Sequence, residues 1–481
     1  MTETAQQNGG LPHVVVLGAG PAGVGAAYEL TRNGRARVTV IEQRDTVGGN
    51  AGSFQLDGVW VDYGSHRLHP ACDPGILNNL RELLGEDLLD RPRHGRIRLE
   101  NQWIHFPLKP GDLLLRTPKK FAFGVATDMV RKKVAATNGQ PDSFASVLEH
   151  SLGRTICQGF YFPYARKLWG LPPEQLAATQ ARRRVSGNSV GKILRKVANS
   201  VPGLKRPGAG RFFYPRRGYG EISQRLCEAA KLAGAQFVMK ARVTAVEREG
   251  NSIAAVTYES DGQSHRIPTR NVWSTLPISL LVRSMHPEPP PEVLQAATRI
   301  AFRGMILIYL TLEQDHFSEY DAHYFPEESI PISRLSEPKN YSASTEPRGT
   351  TVLCAELPSD PGTKEWEMSD QELGDLLRQW LEQAGLPVHA KTLRVTTRRL
   401  RQAYPVYVRG YEKDIALADQ WLGQVEGLLT FGRQGLFVHD NTHHALYMAN
   451  AAAKCLGTDG SIDHELWARY REIFETHVVE D

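Results

Sequence analysis

Three glycines and one acid near the N-terminus have the types and spacing to hold a pyrophosphate and a ribose. Residues 18–23 read Gly18-Ala19-Gly20-Pro21-Ala22-Gly23, and Glu42 follows about 20 residues on. Gly18 permits a tight turn, Gly20 lets the backbone approach a pyrophosphate, and Gly23 lets the next helix pack close to a strand. A helix starting at the turn offers unpaired N–H groups to the anion. The Glu42 carboxylate can accept hydrogen bonds from ribose hydroxyls. It repels a 2′-phosphate, which argues against a ligand of the NADP type.

Those roles require strand, turn, helix and strand in that order. The apolar run Val14-Val15-Val16-Leu17 supplies the first strand. Val24 to Leu30 supplies a small-residue helix, and Val38-Thr39-Val40-Ile41 supplies a second strand that ends at Glu42. A glycine-rich turn alone is a weak signal; here each flanking element falls in place, so residues 14–42 predict a βαβ dinucleotide site.

The bulk properties exclude other classes. A chain of 481 residues is long enough for two to four domains, and 41% hydrophobic with 23% charged residues is ordinary for a globular protein. A net charge of +4 gives no reason to expect a nucleic-acid partner. The five cysteines, at 72, 157, 227, 354 and 455, form no CxxC pair, so neither a disulfide framework nor a metal centre is expected. Met1 to Gly10 lacks Lys, Arg and the apolar core of a secretion signal, and four glycines break the apolar stretch from Val14. A cytoplasmic enzyme with a small-molecule substrate is the expectation, and no feature sets an oligomeric state.

After Glu42 come Gln43-Arg44-Asp45-Thr46-Val47-Gly48-Gly49. An acid followed by this Gly-Gly pair, with Gly23, Ala27 and Leu30 before it, resembles the FAD signature of the amine oxidase superfamily. That superfamily includes protoporphyrinogen oxidases, phytoene desaturases and UDP-galactopyranose mutases. The resemblance implies FAD as cofactor, with Gly18, Gly20, Gly23, Glu42, Arg44, Gly48 and Gly49 among its contacts. It implies an α/β fold, in which a Rossmann-like FAD-binding domain is assembled from discontinuous segments, beside an α+β substrate domain and a helical insertion.

The later blocks follow the family order. Val59 to His69 alternates like a strand and ends in a turn, and its Asp-x-Gly-x-His segment (Gly64, Ser65, His66) is similar to the one that passes the flavin ring. The His66-x-x-His69 spacing is like that of the mutases, where the second histidine lies against the isoalloxazine; alone it reads as a surface pair. Residues 211–277 resume the first domain, with a helix from Glu221 to Ala233, short strands, and a hairpin turning on Asp261-Gly262. By resemblance, Val243 contacts the adenine end through its backbone. Leu428 to Phe431, Gly432-Arg433 and Asp440-Asn441-Thr442 precede a helix from His443 to Cys455. This is like the terminal FAD motif, in which a helix start stabilises negative charge on the flavin. The expected boundaries are 11–70, 211–277 and 425–470 for FAD binding, 71–210 for the insertion and 278–424 for the substrate domain.

Several side chains outside the cradle could act on a substrate. Tyr161 to Glu174 and Arg183 are similar to a mutase stretch whose arginine holds the substrate diphosphate; a charged helix end beside a packed Trp169 weighs equally. Ala403-Tyr404-Pro405-Val406-Tyr407 resembles a piece near the substrate cavity, although two aromatics beside a proline are by default a packed corner. The basic residues Arg116, Lys119, Lys120, Arg131, Lys132 and Lys133 read as a solvated helical face, with peripheral membrane contact the sharper alternative.

The resemblance allows two chemistries. In the first, an oxidoreductase passes hydride from a substrate C–H bond to flavin N5, with His69, Tyr404, Tyr407, Arg433 and His443 positioning substrate or balancing protons. In the second, a mutase uses reduced flavin as a nucleophile on a sugar nucleotide. Mutases carry tyrosines after the terminal Gly-Arg; here those places hold Phe437 and His439, with Asp440 nearby. An acid opposes a diphosphate, so the oxidoreductase is the preferred expectation. A flavoprotein that only binds would leave polar residues away from N5, and the many His, Arg and Tyr candidates argue against it.

Overall fold

The computed structural model describes residues 10–107, 116, 119–134, 142–184 and 210–479. The N-terminal tail (residues 1–9) and the Pro/Gly-rich stretch before Gly210 lie outside the described residues, as do the side chains of Arg131, Lys132, Lys133 and Arg184.

Five parallel strands form the first sheet. His13–Leu17 lies at its centre, between Arg37–Ile41 and Asn271–Ser274, with Gln236–Val238 and Leu428–Thr430 at the edges. The central strand is covered on both faces, which is why it reads as an unbroken apolar run. Helix Pro21–Arg32 starts with proline at its first position, where the missing N–H costs nothing. It packs on helices Thr442–Lys454 and Glu221–Leu232. The contact is made by small residues: a Cβ on Gly25 would lie 3.1 Å from that of Ala449. Strands and helices from residues 13–41, 221–274 and 428–454 thus share one core.

A mixed seven-stranded sheet forms the second layer, in the order Thr392–Pro405, Phe302–Leu312, Thr351–Pro358, Arg334–Ser336, Ala322–Tyr324, Gly95–Leu99, Gln102–Phe106. Strand Phe302–Leu312 sends Ile306, Ile308 and Leu310 to one face, against Leu373, Leu377 and Leu381 of helix Asp370–Gln383. Met305, Leu307 and Tyr309 face the other way, into a core with Val61, Leu148 and Trp169. Helix Asp370–Gln383 opens with a reciprocal cap between Ser369 and Glu372. The hairpin Gly95–Phe106 joins this sheet by pairing with Ala322–Tyr324, although it lies within the segment expected to be a helical insertion. Local alternation predicts two strands there, but the partner strand is more than 200 positions away and leaves no local trace. The remainder of that segment is helical where described, including Phe144–Leu152 and Phe162–Trp169.

The hairpin Ser252–Ser260 and Gln263–Pro268 turns on Asp261 (φ 51°) and Gly262 (φ 75°), the paired left-handed residues of a two-residue turn. Among the described residues, no helix is long and apolar enough to cross a membrane.

Candidate functional site

The glycine turn has the shape its spacing predicts. A Cβ on Gly23 would lie 1.9 Å from the Gly18 carbonyl oxygen, so no side chain fits there. A Cβ on Gly20 would meet nothing within 4 Å, so the helix start faces open space. Two distant stretches close around it. Gly48 N–H donates to Ala19 O at 2.8 Å, and a Cβ on Gly49 would lie 3.3 Å from Gly20 Cα. Gly432 approaches from the C-terminal part, where its Cβ would sit 2.8 Å from that of Ala22.

Glu42 has a second task that the sequence did not reveal. It is 7% exposed. Oε2 accepts the Ala19 N–H at 2.7 Å and Oε1 accepts the Arg44 N–H at 2.9 Å. The carboxylate therefore clamps the glycine turn, and its remaining lone pairs are the ones left for a ribose. The Arg44 guanidinium donates to Gly49 O at 2.9 Å and lies 4.9 Å over the Tyr63 ring. Strand Ala241–Glu249 starts where Ala241 N–H donates to Glu42 O at 2.8 Å, which sets the Val243 backbone beside the same loop.

The Gly64 to His69 stretch runs between the two sheets. Beneath it, buried Asp62 accepts from Ser53 Oγ (2.5 Å), Tyr214 OH (2.6 Å) and Tyr219 N–H (2.8 Å). Burial still pushes its carboxyl above the usual range. His66 stacks on Tyr219 with centroids 5.4 Å apart, and burial lowers its pKa. Ser65 N–H donates to Glu356 Oε1 at 2.7 Å, and a Cβ on Gly64 would lie 3.2 Å from that same oxygen. Glu356 in turn holds Arg334 through two parallel bonds of 3.0 and 2.9 Å. Arg67 donates to Tyr324 OH and Tyr341 OH, each at 2.9 Å, and to Asp321 at 3.2 Å. Arg67, Asp321, Tyr324, Arg334, Tyr341 and Glu356 were not anticipated as a group. The one available signal is Glu356 itself, an acid inside the apolar run of strand Thr351–Pro358.

The third cluster gathers at the start of helix Thr442–Lys454, where Asn441 is the N-cap residue and its N–H donates to His444 Nδ1 at 3.2 Å. His443 is buried beside His444, with ring centroids 4.1 Å apart, and its Nδ1 has no hydrogen-bond partner. Burial, then the neighbouring His69 and His477, lower its pKa to about 4. His69 lies near enough to His443 to influence it electrostatically, and its Nδ1 accepts the Ala71 N–H at 3.0 Å. The Arg433 guanidinium lies 5.1 Å over the Tyr404 ring and donates to Ala403 O at 3.3 Å. Tyr407 sits in a packed corner: it is 1% exposed, its OH donates to Phe437 O at 2.9 Å, and its ring stacks on Tyr411 at 4.2 Å. Arg183 pairs with Glu475.

Comparison with known proteins agrees with this geometry. Residues 21–441 match the model of a family described as flavin containing amine oxidoreductase. The chain belongs to that family. Its cofactor is FAD, and its fold is the α/β, Rossmann-like FAD-binding fold of these enzymes. A phytoene dehydrogenase from Streptomyces griseus is 29% identical over 317 residues, 58% of this chain and 57% of that protein. The chain therefore spans little more than half of that relative in alignment. A crystal structure of reduced UDP-galactopyranose mutase superposes with TM-score 0.81 at 20% identity, covering 98% of this chain and 100% of the other. A putative protoporphyrinogen oxidase from Exiguobacterium sp. 255-15 superposes with TM-score 0.68 at 18% identity, covering 92% and 98%. At such identities these two likenesses concern the fold.

The residues present fit FAD. The open space over Gly20, the acceptor lone pairs of buried Glu42 and the orphaned His443 Nδ1 are what a dinucleotide ending in a polar ring would use.

Proposed function

We propose that this chain is an oxidoreductase that oxidises or desaturates a small organic substrate by hydride transfer to flavin N5. The carrying observation is the family match over residues 21–441. When bound, FAD supplies the two-electron chemistry. In this reading Gly18, Gly20, Gly23, Glu42, Arg44, Gly48, Gly49, Val243 and Gly432 hold the nucleotide. Gly64, Ser65, His66, Arg433 and Asn441 surround the ring. His69 and His443 are assigned to the ring end of the cradle, where His443, its pKa lowered by burial, can accept or return a proton. In this reading Arg183 and Tyr404 border the substrate space, Tyr407 packs behind them, and Tyr324 adds a hydroxyl held by Arg67. The boundaries 11–70, 211–277 and 425–470 for cofactor and 278–424 for substrate belong to the same proposal, as does the insertion at 71–210.

A sugar-nucleotide mutase is the second reading, favoured by the His66/His69 spacing and consistent with the likeness to the mutase fold. Against it stand Phe437, buried against Phe302 and Tyr407, and the acid Asp440.

One anaerobic experiment separates them. Purified protein should be yellow, absorbing at about 450 nm as flavins do. Mixing it with panels of amines and polyenes should bleach that band for a true substrate, and air should restore it. A colourless protein that takes up no FAD defeats both readings. Turnover of a sugar nucleotide only after pre-reduction, with no net electron transfer, defeats the redox one.

A further inference from the structure

Straddling residue 441, where the family match ends, lies a cluster the proposed chemistry does not use. Among the described residues, Asp440, His444 and His477 form the one group of three potential metal ligands, with donor atoms all within 4.8 Å of one another. They come from three places: the loop before helix Thr442–Lys454, the first turn of that helix, and the segment after helix His464–Glu475. Asp440 precedes the N-cap Asn441, so its carboxylate lies at the start of the helix, beside the first-turn His444. His477 Nδ1 lies 2.7 Å from Asp440 Oδ2, and His444 Nδ1 lies 4.0 Å from Oδ1. The three side chains are only 3%, 13% and 10% exposed. The His444 and His477 rings stack at 4.2 Å and 14°. Next to them is the buried His443 ring, whose Nδ1 lacks any partner.

Packing imidazoles this tightly around a buried carboxylate needs a reason. The pairwise bonds present, Asn441 N–H to His444 Nδ1 and His477 Nδ1 to Asp440 Oδ2, leave the second Asp440 oxygen 4.0 Å from His444 and the two rings stacked without a bond between them. A metal ion would join the carboxylate and both rings at once, taking the His444 Nδ1 lone pair from the Asn441 N–H.

We propose that Asp440, His444 and His477 bind one divalent transition-metal ion of the Zn2+ class, pinning the C-terminal segment to helix Thr442–Lys454. Two imidazoles and one carboxylate suit Zn2+, with a fourth position left for water. Zinc–ligand bonds of about 2.0–2.2 Å set tetrahedral donors about 3.3 Å apart. The Asp440–His477 contact must open slightly and the His444 ring must close by about 1 Å. The helix start carries about half a positive charge, which disfavours a cation; the Asp440 carboxylate offsets it.

The test uses full-length, untagged holoprotein, stripped with a chelator and titrated with Zn2+ against a chromophoric competitor. We expect one Zn2+ per chain by atomic emission, and a higher unfolding midpoint with Zn2+ than without. His477→Gln and Asp440→Asn should weaken binding by about 100-fold or more, with flavin content retained. His477→Cys, which restores a ligand, should recover it. Failure of the wild type to hold stoichiometric Zn2+ overturns the proposal. So does binding that both variants leave unchanged, which would locate the ion at other histidines. If His477→Gln does not fold, the wild-type stoichiometry and the Cys variant still decide the matter.

Discussion

Replacing Glu42 by alanine separates two roles that activity alone would confuse. The side chain holds two backbone amides, Ala19 N–H at 2.7 Å and Arg44 N–H at 2.9 Å. Ala19 is fully buried, so its donor would be left without water or partner, at about 1–3 kcal/mol. Arg44 N–H is only part-buried, and water can recover much of its loss. The apoprotein should therefore lose about 1–3 kcal/mol of stability before any cofactor is considered. A ribose hydroxyl bonded to the carboxylate adds about 1.5–3 kcal/mol, or roughly 10- to 100-fold in FAD affinity.

The assay is a pair of measurements on the Glu42→Ala protein: urea unfolding of the apo form, and FAD titration by flavin fluorescence. Glu42→Gln supplies the control. It keeps one acceptor oxygen but turns an NH2 group toward a backbone donor, so it should fall between wild type and alanine in the apo assay. An unchanged apo midpoint refutes the clamp. An apo loss with FAD affinity unchanged refutes the ribose contact and leaves Glu42 a purely structural acid.

Gly20→Ala should fold like wild type yet lose FAD, because its Cβ meets nothing in the protein and stands where the pyrophosphate would approach; Gly23→Ala should lose the fold of the turn itself, with its Cβ at 1.9 Å from Gly18 O. Equal apo unfolding midpoints for the two variants would contradict this. Lys167 gives a pH signature. Burial pulls its pKa from 10.5 to about 7, despite Glu327 and Glu328. Between those values the unfolded chain binds more protons than the folded one, so this group makes stability rise with pH from about 7 towards 10. Urea midpoints across that window should climb less steeply in Lys167→Met, and parallel slopes in the two proteins would show that Lys167 is not the source.

What the sequence disclosed was what lies close along it. The Gly18 to Gly49 cradle was legible because each part sits within a few dozen residues of the next. The Asp261-Gly262 hairpin was legible for the same reason. The network of Arg67, Asp321 and Tyr341 was not, because its partners are 254 and 274 positions from the arginine. The Gly95–Phe106 hairpin was found but not its sheet. Glu42 was found for a ligand role, but its two amide bonds depend on a turn geometry that residue types do not encode. Tyr407 shows the converse: its type and its neighbour Pro405 suit a cavity or a corner equally, and only the Phe437 carbonyl decides for the corner.

Charge pairing bears on the choice between the two chemistries. A diphosphate needs cations whose charge is not already matched. Arg334 is matched by Glu356 through two bonds, Arg67 by Asp321, and Arg183 by Glu475. Each pair sums to zero, and breaking the two buried ones, Arg334–Glu356 and Arg67–Asp321, costs about 3–5 kcal/mol, whereas the Arg183–Glu475 pair is open to solvent at Glu475 and separates cheaply. Arg67 spends its remaining donors on the Tyr324 and Tyr341 hydroxyls. Asp440, already bonded to His477, adds another negative group near the start of the terminal helix. The electrostatics beside the ring-facing stretch therefore weigh with the oxidative reading, and the cradle that binds the other end of FAD has no part in that choice.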